Sequence, residues 1–175
     1  MTLDQFLAGV EGRALVMAET AVGDREEALD LVQEAMTAFV RRYASRDHGE
    51  WGALFHRILQ NRIRDWHRRN RVRNRWRGWL GSSTDEREAD PIQQAQDTRS
   101  PGPLERIEQS DAGEVLVEAL KSLPLRQQQA FMLRVWEGLD VADTARAMGC
   151  SGGSVKTHLS RALAALRERL RGYWP

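Results

Sequence analysis

One segment, residues 51–79, combines an apolar stripe with a high density of arginine and tryptophan. Between residues 41 and 79 the chain carries twelve arginines against three carboxylates, a net charge of +9, together with six aromatic residues. Guanidinium groups bind phosphate oxygens in pairs, and flat rings stack on unpaired bases, so this composition favours nucleic acid. A solvated charged face over core tryptophans is the alternative interpretation. The apolar residues recur at steps of three and four, which predicts an amphipathic helix. They are Leu54, Phe55, Ile58, Leu59, Ile63 and Trp66.

The overall net charge of +1 conceals blocks of alternating sign. Residues 1–40 carry a net charge of −6 and residues 80–118 carry −7, whereas residues 41–79 and 119–175 carry +9 and +5. Two basic blocks separated by an acidic one predict two polyanion-binding modules on a connector.

Several classes of protein do not fit this chain. The single cysteine, Cys150, excludes an internal disulfide, and we expect it to pack as a small apolar residue in a turn. No apolar run approaches the roughly 18 residues of a membrane span, and the first residues lack the basic start and apolar core of a signal peptide. We therefore expect a cytoplasmic protein without membrane insertion. The four histidines lack the spacing of a helical zinc site, so we expect no metal and no cofactor.

The first half of the chain predicts two helices before the basic segment. Apolar periodicity predicts a helix over residues 3–21, and Asp24 is a suitable N-cap for a helix over residues 25–44. Asp30, Gln33 and Glu34 share the polar side of that second helix. An acidic face next to a basic helix favours contact with a protein rather than with the same DNA, although a plain solvated face fits the periodicity equally well.

The second half begins after residues 81–103, whose Ser, Gln, Asp and Pro content predicts a flexible linker. Helices are predicted to end at Pro124, at Gly138 and at Gly149, and Ser151 is a suitable N-cap for a longer final helix. A short helix, a turn with glycine and a longer helix form the helix-turn-helix pattern. The long helix exposes donors suited to base edges and phosphates. They are Ser154, Lys156, Thr157, His158, Ser160 and Arg161.

Three of these stretches together resemble a known family. Residues 23–34 resemble the polymerase-binding segment of sigma-70 family factors, residues 51–69 resemble their promoter −10 segment, and residues 123–162 resemble their −35-reading helix-turn-helix. The order and spacing resemble the extracytoplasmic-function (ECF) group, which keeps only these two domains.

The resemblance implies an all-α fold of two small helical domains. Residues 1–80 would form a sigma-2-type helical bundle that binds core polymerase and opens the −10 element. Residues 81–103 would be a flexible acidic linker, and residues 104–175 would form a sigma-4-type helix-turn-helix domain for the −35 element. The implied function is that of an alternative sigma factor, a polymerase subunit rather than an enzyme.

The same resemblance implies roles for individual residues. The implied contacts with core RNA polymerase come from Asp30, Leu31, Gln33, Glu34 and Phe39. The implied −10 DNA contacts come from Arg46, Asp47, His48, Asn61, Arg62, Asp65, Arg68 and Arg69. The implied −35 DNA contacts come from Arg134, Ser154, Lys156, Thr157, His158, Ser160 and Arg161. The implied partners are core RNA polymerase, duplex and melted promoter DNA, and an anti-sigma factor, with no small-molecule substrate.

Two other hypotheses fit parts of the sequence. A two-domain helix-turn-helix regulator could bind DNA without joining polymerase. A nucleic-acid-processing enzyme could use the Asp and His positions between residues 47 and 67. Binding to core polymerase distinguishes the sigma factor from both.

Overall fold

The computed structural model describes residues 1–80 and 102–173, and every regular element within these ranges is helical, which confirms the all-α prediction. The predicted linker, residues 81–103, lies outside the described residues except for its last two. A π-helical turn, Met132–Trp136, follows the sixth helix. The helices are α1 (Leu3–Val22), α2 (Arg25–Tyr43), α3 (His48–Trp79), α4 (Pro103–Glu108), α5 (Asp111–Lys121), α6 (Leu125–Phe131), α7 (Val141–Met148) and α8 (Gly152–Arg169).

Side-chain caps and left-handed glycines set the helix ends where the sequence predicts them. The Asp24 carboxylate accepts a hydrogen bond from the Glu27 amide at 2.9 Å, and the Ser151 hydroxyl accepts one from the Ser154 amide at 3.1 Å. Gly149 ends α7 with a φ of 63°, in the left-handed region that glycine adopts without a steric penalty. These interactions satisfy amides and carbonyls that a helix end leaves without partners.

Two boundaries differ from the prediction. The helix predicted before Pro124 is divided into α4 and α5, because the Ser110 hydroxyl accepts a hydrogen bond from the Gly113 amide at 3.1 Å and starts a new helix. The polar, glycine-containing stretch 45–50 predicts a loop between α2 and α3. The observed loop is shorter, since Asp47 caps α3 and the helix begins at His48. At its other end α3 continues to Trp79.

The first module, α1–α3, is a three-helix bundle around an aromatic cluster. Phe39 of α2 and Phe55 of α3 are completely buried, with ring centroids 6.0 Å apart in an edge-on arrangement. Phe6 of α1 lies 5.5 Å from the Phe39 ring and 5.5 Å from the Trp51 ring. Aromatic pairs at these distances add to the stabilisation from apolar burial. Trp51 and Phe55 are therefore core residues of the first module.

The second module, α4–α8, has its own apolar centre. Leu133, Met148 and Val155 are completely buried where α6, α7 and α8 meet, and Ala162 and Leu166 continue this contact along α8. The short helices α4 and α5 lie between this centre and α1. Buried Leu104 belongs to the same continuous apolar core as the first module.

The two modules pack against each other through α3 and α7. The contact follows one stripe of α3 with a spacing of four residues: Leu139 lies next to Gly52, Glu137 next to His56, and the Met148 carbonyl next to Arg64. The Arg64 guanidinium donates to that carbonyl at 3.3 Å. The long helix therefore buries a second face, apart from the one that packs on α1 and α2.

Glu137 lies at the centre of this interface, in what we call the interdomain ion cluster, formed by Arg13, His56 and Glu137. Arg13 of α1 donates to both carboxylate oxygens, at 2.9 and 3.2 Å, and His56 Nε2 lies 3.3 Å from Oε1. Burial of the Glu137 carboxyl would raise its pKa, but the contacts with His56 and Arg13 outweigh burial and hold the pKa below its ordinary value. The carboxylate is thus stabilised in its charged form by two helices of the first module.

The aromatic cluster predicts the cost of truncating Phe39. The change Phe39→Ala should lower the free energy of unfolding by about 3–5 kcal/mol, because it leaves a cavity in a fully buried site. Urea denaturation followed by tryptophan fluorescence measures this change. The neighbouring variant Val40→Ala is the control, since Val40 is exposed and its truncation should change stability by no more than about 0.5 kcal/mol. Equal effects of the two variants would contradict the burial of Phe39.

Candidate functional site

The exposed face of α2 carries three of the residues predicted to bind polymerase. Asp30, Gln33 and Glu34 are exposed, while the opposite side of the helix packs against α1 and α3. Glu34 accepts a hydrogen bond from the Arg62 guanidinium at 2.5 Å. Within the described residues, Asp30 and Gln33 have no side-chain hydrogen bond. This face therefore presents negative and amide groups to the outside.

Leu31 and Phe39 do not belong to that face. Their exposed fractions are 4% and 0%, because the helical period places them with Ala35 on the side that faces the bundle core. The structure contradicts the prediction that these two side chains contact polymerase directly. Their role is to hold α2 against the bundle, so that the polar face points outwards.

The turn before α3 brings together three residues predicted to contact −10 DNA. Arg46, Asp47 and His48 are all exposed. Asp47 caps α3 by accepting from the Gly49 amide at 2.9 Å, and its carboxylate lies 3.3 Å from His48 Nδ1. The Trp51 indole donates to the Arg46 carbonyl at 3.0 Å. A core tryptophan therefore sets the shape of this turn and leaves its charged side chains outside.

The polar side of α3 carries the other predicted −10 residues, and most of them have partners within the chain. Arg62 pairs with Glu34 of α2, as described above, and Arg68 pairs with Asp65 at 3.0 Å. The side-chain oxygen of Asn61, Oδ1, accepts a hydrogen bond from the Arg64 guanidinium. Arg69 is exposed. Binding of DNA at this face would exchange these surface contacts, each worth about 0–1 kcal/mol, for contacts with phosphate.

Three tryptophans of α3 lie outside the aromatic core. Trp66 is half-buried, and its indole donates to a carboxylate oxygen of Glu27 at 3.1 Å. Trp76 and Trp79, near the end of α3, are 57% and 78% exposed, with ring centroids 5.6 Å apart and nearly perpendicular planes. Both side chains are therefore mainly exposed.

The second module contains the predicted helix-turn-helix in α7 and α8. Lys156, Thr157, Ser160 and Arg161 are exposed on α8, as a base-reading helix requires. The Thr157 hydroxyl donates to the Gly153 carbonyl at 3.1 Å, which leaves its oxygen available as an acceptor. These four residues form a continuous polar surface.

Two further residues predicted to contact −35 DNA have local structural contacts. The Arg134 guanidinium donates to the Leu139 carbonyl across the turn that contains Gly138, and the side chain is half-buried. The Ser154 hydroxyl lies 2.9 Å from the Ser151 hydroxyl at the start of α8. Arg134 therefore stabilises the turn before α7, and Ser154 takes part in the cap of α8.

The predicted −10 and −35 surfaces meet in one cleft. Asn61, Asp65 and Arg68 of α3 face His158 and Arg161 of α8 across an open space of about 880 Å³. Burial, together with the nearby Arg126 and Arg161 charges, lowers the pKa of His158 below its ordinary value. Residues from two separate predictions thus line a single cationic cleft.

Sequence reasoning missed the contact between the modules and the arginines that belong to it. Arg64, Arg71 and Arg126 line the same cleft but were not among the predicted site residues. His56 was considered as a metal ligand and as part of a nucleic-acid-processing site, whereas the structure buries it completely against Glu137. The available signal was the recurrence of Gly52, His56, Gln60 and Arg64 at steps of four residues, which places non-aliphatic residues along one side of α3.

Within residues 1–80 and 102–173 no helix is long and apolar enough to cross a membrane. In the same ranges, no three His, Cys, Asp or Glu side chains lie close enough together to hold a metal ion.

Comparison with known proteins agrees with this arrangement. The family model for sigma-70 region 2 matches residues 10–73, and the model for sigma-70, region 4 matches residues 113–166. The RNA polymerase sigma-E factor of Streptomyces antibioticus is 33% identical over 150 residues, which cover 85% of this chain and 73% of that protein. The sigma-E factor of Streptomyces avermitilis is 31% identical over 171 residues, which cover 97% and 86%.

Two more comparisons bear on the group and the fold. The ECF RNA polymerase sigma factor BldN of Streptomyces coelicolor is 30% identical over 155 residues, which cover 85% of this chain and 53% of that protein. A solved structure of the sigma factor RpoE in complex with the anti-sigma factor NepR, from Bartonella quintana, superposes with a TM-score of 0.68 over 98% of each chain at 24% identity. At that identity the likeness shows the fold.

The two family models fall on the two modules in the predicted order, and the two sigma-E factors are related along most of their length. The chain therefore belongs to the sigma-70 family of RNA polymerase sigma factors, in its extracytoplasmic-function group.

Proposed function

We propose that this ECF sigma factor joins core RNA polymerase through α2, opens the promoter −10 element with α3 and the turn before it, and reads the −35 element with α8. The observation that carries the proposal is the separation of charge on exposed surfaces: carboxylate and amide groups on α2, and guanidinium and hydroxyl groups on α3 and α8. A transcription initiation factor of this kind has no need of a catalytic centre of its own, and we propose none.

The proposed division of the chain follows from this separation. Residues 1–80 form the domain for polymerase and the −10 element, residues 104–175 form the domain for the −35 element, and residues 81–103 connect them. The matched sigma-70 regions lie within the first and last of these ranges.

In the proposed polymerase contact, Asp30, Gln33 and Glu34 supply the polar groups. A negative surface suits a protein partner here, because it does not compete for the DNA that the neighbouring α3 binds. Glu34 also pairs with Arg62, so polymerase binding to Glu34 would release an arginine of the −10 face. This pair would couple the two binding events.

At the −10 element, the proposed role of the first module is to hold DNA while base pairs open. Unstacking a base costs a few kcal/mol, and capture in a pocket or on an aromatic ring returns about 1–3 kcal/mol. Arg46, Asp47, His48 and Asn61 are exposed and available for capture. Arg68 and Arg69 would bind the adjacent phosphates.

At the −35 element, α8 would enter the major groove with its exposed residues. Lys156, Thr157, His158 and Ser160 would meet base edges or nearby phosphates, each good bidentate base contact being worth about 1–3 kcal/mol of discrimination. Arg161 would bind phosphate and add affinity without sequence information. We assign Arg134 and Ser154 to the support of this unit rather than to DNA.

The arrangement of the two modules implies that they separate on the promoter. The −10 and −35 elements are roughly 25 base pairs apart, or about 85 Å at 3.4 Å per base pair. Some residues assigned to each element line one cleft, namely Asn61, Asp65 and Arg68 of one set and His158 and Arg161 of the other. A duplex therefore cannot engage both complete sets in this closed arrangement. We propose that promoter binding requires α7 to leave α3.

An anti-sigma factor is the second protein partner that we propose. The structurally similar RpoE was solved with the anti-sigma factor NepR. A partner that holds the two modules together would keep both DNA-binding surfaces facing each other.

The test of the proposed function is reconstitution. The chain should co-elute with core RNA polymerase on gel filtration, and the complex should start transcription from specific genomic fragments in a run-off assay. A helix-turn-helix regulator would instead bind promoter DNA tightly on its own and would not join polymerase. Turnover of nucleic acid by the purified chain, lost on Asp65→Ala, would favour the enzyme hypothesis.

The polymerase contact predicts an effect of neutralising α2. The change Asp30→Ala should weaken binding to core polymerase by roughly tenfold, about 1.4 kcal/mol, because it removes an exposed charge at the proposed interface. Fluorescence anisotropy of the labelled full chain measures the affinity. The matched control is Glu11→Ala, which removes an exposed carboxylate of α1 and should leave affinity within about twofold. Equal losses in the two variants would show that overall charge, and not α2, governs binding.

The −35 contact predicts an effect of removing Arg161. The probe is DNA that contains a −35 element but no −10 element. The change Arg161→Ala should lower the affinity of the holoenzyme for this DNA, and the loss should be similar for every −35 sequence. It should also reduce the salt dependence by about one phosphate contact. Anisotropy titrations at several salt concentrations measure both quantities. The control is Arg167→Ala, an exposed arginine in the last turn of the same helix. An unchanged salt slope for Arg161→Ala would remove this residue from the phosphate contacts.

A further inference from the structure

The cleft between the modules collects more positive charge than the described chain neutralises. Three helices from the two modules line it, and Asp65 is the one carboxylate in its described lining, where it already pairs with Arg68 at 3.0 Å. The basic residues of this cleft, which we call the arginine cleft, are Arg64, Arg68, Arg71, Arg126, His158 and Arg161.

Two of these guanidinium groups are held side by side by a common acceptor. Arg64 of the first module and Arg126 of the second both donate to the Met148 carbonyl, at 3.3 and 3.0 Å. This carbonyl lies at the C-terminal end of α7, which carries the negative end of the helix dipole. The Met148 carbonyl thus fixes one cation from each module. Arg64 also donates to the Asn61 side-chain oxygen and Arg126 to the Gln129 side-chain oxygen, and each five-donor guanidinium keeps further N–H groups.

The proximity of these cations has an electrostatic cost. Burial lowers the pKa of the Arg64 guanidinium, and the neighbouring Arg126 charge lowers it further. The pKa of His158 is lowered for the same two reasons, with Arg126 and Arg161 as the neighbouring charges. Like charges at these positions oppose closure of the modules, and a multivalent anion between them would convert repulsion into attraction.

We propose that the arginine cleft binds a compact polyphosphate, that is, a chain of directly linked phosphates, either free or attached to a nucleoside. Guanidinium groups match phosphate oxygens in pairs, and linked phosphates bring several negative charges within reach of both modules at once. The volume of about 880 Å³ suits a ligand of nucleotide size. Pro124 and Leu125 supply an apolar part of the wall.

Occupation of the cleft would favour the closed arrangement. Asn61, Asp65 and Arg68 from the proposed −10 surface and His158 and Arg161 from the proposed −35 surface line the same space. A bound polyphosphate would therefore compete with promoter DNA for these residues. The binding itself is a property of the chain alone and is measured without polymerase, so its outcome is independent of the proposed transcriptional function.

The test is isothermal titration calorimetry of the full chain with three probes, inorganic tripolyphosphate, ATP and inorganic phosphate, without added magnesium at about 0.15 M ionic strength. Tripolyphosphate should bind at least about tenfold more tightly than phosphate, since linked charges contact several guanidinium groups. Affinity for ATP above that for tripolyphosphate would identify a nucleotide ligand, and equal affinities would identify the phosphate chain alone. Equal affinities for tripolyphosphate and phosphate would overturn the proposal. An acidic peptide, hexaglutamate, that binds as tightly as tripolyphosphate would overturn it too.

A matched pair of arginine variants tests the location. Arg126→Gln should weaken tripolyphosphate binding at least about fivefold, because Arg126 lies in the cleft on the second module. Arg77→Gln removes the same charge from α3 outside the described cleft and should change affinity by less than about twofold. Equal losses in the two variants would show unspecific attraction to a basic protein.

A variant at the interdomain ion cluster tests whether polyphosphate binding requires the closed arrangement of the two modules. The answer lies in whether the variant weakens or strengthens anion binding. Glu137→Gln makes the chain more positive, so unspecific attraction would strengthen anion binding, as it should in the control Glu11→Gln. Binding in the closed cleft should instead become weaker, because Arg13 and His56 lose the carboxylate that holds the modules together. Stronger binding to Glu137→Gln would overturn the proposal. If circular dichroism shows that Glu137→Gln is unfolded, the variant Arg13→Gln replaces it, because it breaks the same contact from α1. Its affinity for tripolyphosphate must then fall below that of Arg77→Gln.

Discussion

The packing of α3 on two sides constrains the whole molecule. This helix has 32 residues, which correspond to about 48 Å at 1.5 Å per residue. One face carries Phe55 into the aromatic core of the first module, and the stripe from Gly52 through His56 to Arg64 packs against the second module. What remains for other partners is a narrow polar face and the last turns, which extend past both modules. Under the proposed function, DNA binding depends on which of these faces is covered.

The alternating acidic and basic blocks of the sequence are arranged differently in the structure, because α7 packs against α3. In the sequence, basic blocks alternate with acidic ones and suggest independent modules. In the structure, the two basic surfaces face each other, while the exposed carboxylates of α2 lie on another side of the bundle. The closed arrangement therefore brings like charges together. It persists because apolar burial around Leu139 and Met148 and the Glu137 contacts oppose that repulsion.

Local signals determined what the sequence could predict. The N-caps at Asp24 and Ser151 and the left-handed glycines at 138 and 149 are properties of a few neighbouring residues, and the structure confirms them. The Ser110 cap was also a local signal, but the apolar period across it hid the break between α4 and α5. Leu31 was assigned to polymerase from the family resemblance, although its own periodicity placed it in the core. Periodicity was the more direct physical argument.

Contacts between distant segments could not be predicted in the same way. His56 and Glu137 are 81 positions apart in the sequence and polar, so neither one marks an apolar face. The arginine cleft depends on the same long-range packing, since Arg64 and Arg126 meet only when α7 brings the Met148 carbonyl between them. Composition predicted that arginines would bind polyanions, but it held no information on which arginines would share one anion.

The chemistry of the interface indicates how firmly the modules are held. The centre of this contact is polar, since Arg13 and His56 meet the Glu137 carboxylate and Arg64 donates to the Met148 carbonyl. His56 Nδ1 is buried without a hydrogen-bond partner among the described residues, and such a group costs about 1–3 kcal/mol. Water can satisfy polar groups of this kind when an interface opens, so opening recovers part of the energy that it costs. The modules are therefore joined by a contact strong enough to define one arrangement and polar enough to be exchanged for DNA.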